Sequence, residues 1–308
     1  MGEVHDILAA RGKQAALDVG LTRDLVDAAA TYLGNEESGV GFLYSGWCQS
    51  ALPHKRIADD QRWQVDGDRI SLLVEPGSRF ERGKPAVPVG VPYGSRARLI
   101  LIYLQSEALR TQSREVELGR SLRHWFGRMG INAGGKDIKI VRDQAERISL
   151  CKMSFRIFAG KRVGLVQQNI VDTAMFIEDE DARQDGLFAE TARLSEGFFV
   201  QLQQHSVPLE DAAIKAISNN SQAIDIYCWL AYRLHALTKP TPLTWATVKV
   251  QFGAGVKQMK HFRERFLPNL ALAMAVYPAA KVEQTDTGLL LHPSRPPVAP
   301  KQIQIAAR

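Results

Sequence analysis

The sequence predicts an α+β chain with two tandem winged-helix domains, each a helix-turn-helix followed by a β-hairpin, behind an N-terminal helical and β-rich extension. Three observations predict it. One order of features occurs twice, the second time about 120 residues after the first: an apolar helix, a shorter helix, a cationic helix and strand-like runs. Each middle helix closes on glycine, at Gly130 and Gly253, as a tight interhelical turn requires. Each helix after that turn carries several cations, the arrangement that presents a basic helix to a DNA groove.

Composition narrows the alternatives. At 308 residues, 45% apolar and 23% charged, the chain can bury substantial cores and suits two or three domains. Its 39 Lys and Arg against 33 Asp and Glu suit a polyanionic partner without requiring one. Cys48, Cys151 and Cys228 are odd in number and far apart, so neither a disulfide framework nor a zinc site is expected. No signal-like segment opens the chain and no run approaches roughly 18 apolar residues, so a cytoplasmic protein with no membrane partner is expected.

The elements follow in order. Over residues 4–33, Ile7, Leu8, Ala15, Leu17, Leu21, Leu25 and Ala29 predict two short amphipathic helices broken near Gly20. From Gly39 to Val91, glycine, proline and short apolar runs predict a strand-and-loop layer. Pro92-Tyr93-Gly94-Ser95 supplies a turn and a helix start, and a long helix runs from about Arg96 to Leu109. A short strand at Arg114–Leu118, the Trp125 helix and a basic helix over about Lys136–Leu150 come next. Alternation then predicts a hairpin from Cys151 to Asp172 with its tip at Ala159–Arg162, read as the first wing. Glu178–Asp181 reads as an acidic solvated loop, Gly186–Leu194 as a strand, and Ser195 as a helix start. His205–Leu209 links the copies. The second copy repeats the helices and ends in strands at Ala280–Thr285 and Gly288–Pro293. The predicted domains are 1–90 (extension), 91–206 (first winged helix), 207–293 (second) and 294–308 (flexible tail).

Cations at helical spacing carry the candidate chemistry. Lys136, Lys139, Arg142 and Arg147 fall on one stripe of the first basic helix, opposite Ile138, Val141, Ala145 and Ile148. Asp137, Asp143 and Glu146 allow a plain solvated face as well. Lys257, Lys260, His261, Arg263 and Arg265 form a denser cluster with one acid, Glu264, opposite Phe262, Phe266, Leu270 and Met274. Arginine can fork onto guanine and both cation types hold phosphate. Lys161 and Arg162 mark the expected wing tip. Ser95, Arg96 and Arg98 open the long helix, where free amides can hold an anion. Trp125, Phe126, Trp229, Tyr232, Trp245 and Phe252 sit among aliphatic neighbours and are read as core. A phosphate-cradling Gly-x-x-x-x-Gly-Lys loop, a His-hydrophobic-His pair, His-Glu-x-x-His and Gly-x-Ser-x-Gly are all missing from the sequence, and paired acids such as Asp59-Asp60 read as solvated. The expectation is therefore no enzyme, no catalytic residue, no metal and no cofactor.

Several strings resemble the plasmid-encoded RepA replication initiator family of bacteria. They are Gly41–Gly46 (GFLYSG) with Ala51–His54 (ALPH), Val91–Arg98 (VPYGSRAR), Gln112–Gly119 (QSREVELG), and Ser218–Ser221 (SNNS) with Trp229–Arg233 (WLAYR). The likeness spans roughly residues 40–293. It implies a protein that recognises double-stranded plasmid origin DNA, helps open the duplex and recruits host replication proteins (initiator, helicase and polymerase). A homodimer that represses its own promoter is also part of that implication. Two other classes share the same helices: an operator-binding transcriptional repressor with no initiation role, and a protein-interaction module.

Overall fold

The computed structural model describes residues 3–35, 39–67, 69–80, 82–131, 135–159, 162–168, 170–175 and 191–299. In chain order the elements are α1 (Glu3–Asp18), α2 (Arg23–Leu33), β1 (Val40–Tyr44), β2 (Trp63–Asp66), β3 (Ile70–Glu75), β4 (Ser78–Arg79) and β5 (Val87–Pro88). There follow α3 (Gly94–Thr111), β6 (Glu115–Glu117), α4 (Gly119–Arg128), α5 (Gly135–Leu150), β7 (Lys152–Ala159), β8 (Arg162–Gln168), β9 (Val171–Met175), β10 (Thr191–Leu194) and α6 (Glu196–His205). The chain ends with β11 (Ser206–Glu210), α7 (Asp211–Ala216), α8 (Ser221–Arg233), β12 (Thr241–Thr244), α9 (Trp245–Phe252), α10 (Met259–Ala275), β13 (Val282–Gln284) and β14 (Gly288–Leu291). Helix and sheet are mixed, an α+β chain. Among the described residues no helix is long and apolar enough to cross a membrane, and all three cysteines are free and buried.

Two compact units form, one from Leu52–Ser206 and one from Met1–Ala51 together with Val207–Arg308. The segment expected as a separate extension, 1–90, is thus divided between them. Its helices α1 and α2 pack in the split unit: Val4, Ala29 and Ala275 share a buried cluster with Leu8, Leu21 and Leu25, and His5 Nε2 lies 2.7 Å from the Ala275 carbonyl. Strand β1 pairs with β11. The expected flexible tail is also corrected in part. Val298 is buried, the Arg295 carbonyl accepts from the Tyr277 hydroxyl at 2.6 Å, and Ser294 N donates to Leu234 O at 3.2 Å. Residues 300–308 lie outside the described residues.

Each unit is organised around one helix that is apolar on nearly every face. From Ala97 to Gln105 in α3, and from Ala223 to Ala231 in α8, every residue is buried. Such a helix has to be enclosed, and the remaining elements wrap it. Around α8 the aromatic side chains interlock: Trp229 with Phe252 (ring centroids 5.3 Å apart), Phe252 with Phe266 (5.4 Å) and Phe262 with Phe266 (5.3 Å). Around α3, Tyr103 tilts against Trp125 at 5.6 Å. The aromatic residues read as core are buried, apart from half-buried Tyr232.

The same topology occurs in both units. In the split unit, helix α8 leads through β12 to α9, α10 and the hairpin β13–β14, and the sheet order is β12-β14-β13. In the central unit, α3 leads through β6 to α4 and α5, and later β9 and β10 give the sheet order β6-β10-β9. The hairpin read as the first wing is therefore a different structure. Strands β7 and β8 join β2 and β3 in a four-stranded antiparallel sheet, with Leu72 opposite Phe155 and Val74 opposite Met153. Those four side chains are all buried, so β7 covers a core instead of standing in solvent. The counterpart of β13–β14 is β9–β10, whose connection at 176–190, including the expected acidic loop, lies outside the described residues.

Candidate nucleic-acid interface

In the split unit the side chain of Thr244 caps α9, accepting from Thr247 N at 3.2 Å. The helix stops at Gly253, where space permits no side chain: a Cβ there would sit 2.7 Å from Lys249 O and 3.0 Å from Phe262 Cδ2. Gly255, at φ +78°, completes the turn in the left-handed region that favours glycine. Lys249 Nζ crosses it to donate to Lys257 O at 2.8 Å. Sequence reasoning passed over Lys249, although its place in the last turn of a helix closing on glycine marks it.

The turn aims the start of α10 outward. Phe262, Phe266 and Leu270 form its buried stripe, while Lys257, Lys260, His261 and Arg265 are exposed. Lys260 has 81% of its side chain in solvent; Glu264 is 4.0 Å away and 57% exposed, too open a pair to hold it. The first turn contains no acid and Gln258 makes no side-chain cap, so the helix-end amides and the nearby cations combine into one anion-attracting surface. Arg263 differs from its neighbours. It is half-buried with its guanidinium 4.8 Å from the Trp245 ring centroid, an α9–α10 packing contact. Pro268 lies within α10 on its exposed side, beyond the cationic half.

The central unit is organised differently. Its turn after α4 is a Schellman motif, with Ile131 N donating to Phe126 O and Gly130 N to Gly127 O, both at 3.0 Å, and Gly130 at φ +72°. On α5, Lys139 is exposed and Arg142 half-buried. The side chain of Lys136 is outside the described residues, as are Lys161 and the side chain of Arg162. Arg162 itself lies in β8 opposite Ala159, on the core-covering sheet.

Three arginines expected at the surface are instead structural. Arg98 is buried, donating to Leu52 O at 2.7 Å, Pro53 O at 3.2 Å and Gly94 O at 2.9 Å. It stitches the 52–54 loop to the start of α3 and cannot reach a polyanion. Arg96 is 14% exposed and pairs with Asp137 at 3.3 Å. The start of α3 is correspondingly occupied, with Gly94 N donating to Pro53 O at 2.9 Å and Tyr93 N to Gln144 Oε1 at 2.7 Å. Arg147 is 4% exposed, its Nε 2.9 Å from Asp143 Oδ2 and its Nη1 3.3 Å from Asp59 Oδ1, over the Tyr93 ring. Gly90, at φ +74°, leaves the space that Arg147 fills. The Arg56 guanidinium, hydrogen-bonded to Asp59, holds that carboxyl below the usual carboxylate range, and Arg147 adds to the effect. Burial pushes the nearby Cys151 thiol up to about 11.

The structure thus gathers Lys257, Lys260 and His261 on one helix start, joined by Arg265, and leaves Lys139 and Arg142 on the equivalent helix of the other unit. It removes Arg98 and Arg147 from any surface and turns Arg96 and Arg263 into packing contacts.

This doubled architecture defines a class of two-unit α+β proteins represented among solved structures. The chain is similar to a crystal structure of selenomethionine derivatives of domains 2 and 3 of RctB, with TM-score 0.53 at 10% identity, over 83% of this chain and 99% of that one. A second crystal structure of RctB domains 2–3 aligns with TM-score 0.43 at 8% identity, over 79% of this chain and 93% of that one. No curated protein matches the sequence. The chain belongs to the family of plasmid-encoded RepA proteins, whose model matches residues 91–246.

Proposed function

We propose that the protein initiates plasmid replication by binding origin DNA through two winged-helix domains, with α5 and α10 as the groove-facing helices, and that this binding nucleates duplex opening and host replisome recruitment. The observation that carries the reading is α10: a third helix after a tight glycine turn, with an acid-free first turn that has no side-chain cap, three exposed basic side chains (Lys260, His261 and Arg265) and Lys257 just before it. Membership of the RepA family supports the replication role. The repeated strand order around α5 supports assigning it the equivalent place. In this reading the protein acts in the cytoplasm by positioning DNA and partners, not by catalysing a covalent step, and needs no cofactor.

Gel-shift titration on plasmid origin DNA at two salt concentrations tests the binding. Affinity that falls steeply with salt is expected, because phosphate contacts release counterions. Salt-independent binding, or none, overturns it. Whether the gene with its flanking DNA sustains an otherwise replication-dead plasmid separates an initiator from an operator-binding repressor.

A further inference from the structure

The β4–β5 hairpin has no role in either core. Its strands are two residues each, with Ser78 opposite Pro88 and Arg79 opposite Val87. Pro88 in β5 has no amide to donate, which limits pairing along that strand. Phe80 is 80% exposed, the highest value for a large apolar side chain among the described residues, and Val87 is 59% exposed. Arg82 and Lys84, both exposed, follow Phe80 at the tip. An aromatic ring held in water, with Glu81 next to it in sequence and two exposed cations shortly after, is a poor packing element, but it matches a nucleotide, whose base offers a π-face and whose phosphates are anionic.

The root of the hairpin fixes where it stands. At Gly77 a Cβ would lie 2.2 Å from Leu150 O, so the backbone rests directly on the end of α5. Val89 N closes the base by donating to Gly77 O at 3.0 Å. Arg79 Nε donates to Glu146 Oε1 at 2.6 Å, and its Nη2 bonds the other carboxylate oxygen. Glu146 follows Lys139 by two helical turns on the same stripe, about 10 Å along α5. Arg79 thereby neutralises an acid that would repel phosphate, and sets Phe80 beside the α5 face that carries Lys139.

We propose that this hairpin is a single-stranded-DNA contact, in which Phe80 stacks on an unpaired base next to the duplex held by α5, and Arg82 and Lys84 hold the flanking phosphates. The proposal rests on the origin-binding reading for the duplex beside it. Paired bases already stack on each other, so the ring engages the strand once the helix has opened.

The test uses the full chain with an oligothymidylate of about 20 nucleotides and, separately, origin duplex, both followed by fluorescence anisotropy. Phe80→Ala should weaken oligothymidylate binding about tenfold and leave duplex affinity within about twofold, the size of one lost base stack. Phe80→Trp should retain binding and show fluorescence quenching on oligothymidylate beyond that of the parent chain. Since Phe80 is in solvent, an unchanged melting temperature is expected for both variants. Unchanged oligothymidylate affinity in Phe80→Ala, as an anchor for a protein partner would give, overturns the proposal, and so does a Phe80→Trp chain with no added quenching. If the parent chain binds oligothymidylate through Phe80 but ignores origin duplex, the hairpin stands and the origin reading falls. Binding to neither sinks both.

Discussion

Replacing Lys260 and Arg265 with alanine should flatten the salt dependence of origin binding without weakening the fold. Both side chains are exposed on α10, and the buried stripe of that helix is Phe262, Phe266 and Leu270, so their removal costs little packing. Each phosphate neutralised contributes a slope of about −0.9 in log K against log salt, so raising salt about fourfold, from about 50 to about 200 mM, weakens binding about 3.5-fold per contact. Two lost contacts amount to about 12-fold. The ratio of affinities at the two salts should therefore be about 12-fold smaller in the double variant than in the parent, read by anisotropy on an origin duplex. Arg263 is left in place deliberately. It packs on Trp245, so its loss would mix a folding defect into the readout. A double variant with the parental slope and a parental melting curve would remove α10 from the interface.

Arg98→Ala should act on stability alone, by about 2–4 kcal/mol, since three carbonyls lose their buried donor; urea melts check the loss, and DNA affinity per folded molecule should stay at the parental value. Gly253→Ala pushes a methyl into Lys249 O and should cost about 1–3 kcal/mol, seen as a lower thermal midpoint with α10 still helical by circular dichroism. Asp59 has a carboxyl depressed in the fold, so its contribution is present above the unfolded carboxylate range and is lost as pH falls through the folded value. Asp59→Asn should therefore be less stable than the parent near neutrality, with the two melting curves converging in acid; a gap that persists in acid would contradict this linkage.

The periodic parts of the fold were legible because burial imposes them on composition. An apolar run such as Leu99–Leu104 has only one stable position, inside, and Gly130 and Gly253 are demanded by backbone conformation or space. Pairing between distant strands was not legible. The Cys151–Asp172 hairpin has the alternation of a wing and of a covered sheet alike, and only its partner β3, some 80 residues earlier, decides between them. Cation roles failed for a related reason. Arg98 and Arg147 share helical spacing with solvated neighbours, yet long guanidinium side chains also serve as multi-donor clamps, and their carbonyl and carboxylate partners at 52–59 lie far away in sequence. Within the RepA-like string Val91–Arg98, Tyr93 and Arg98 take part in these clamps, so that part of the string reports architecture more than DNA contact.

Because residues 1–51 complete their unit only with residues 207 and beyond, the order of manufacture differs from the order of assembly. At about 5–20 residues per second, a ribosome needs roughly 13–50 s to make residues 52–308 after residue 51. During that interval the Val4–Ala29 cluster lacks Ala275 and β1 lacks β11, whereas the inserted central unit has its whole sequence once residue 206 is made. The central unit can thus close before the split one, and residues 1–51 wait for residues 207 and beyond in the company of chaperones and proteases.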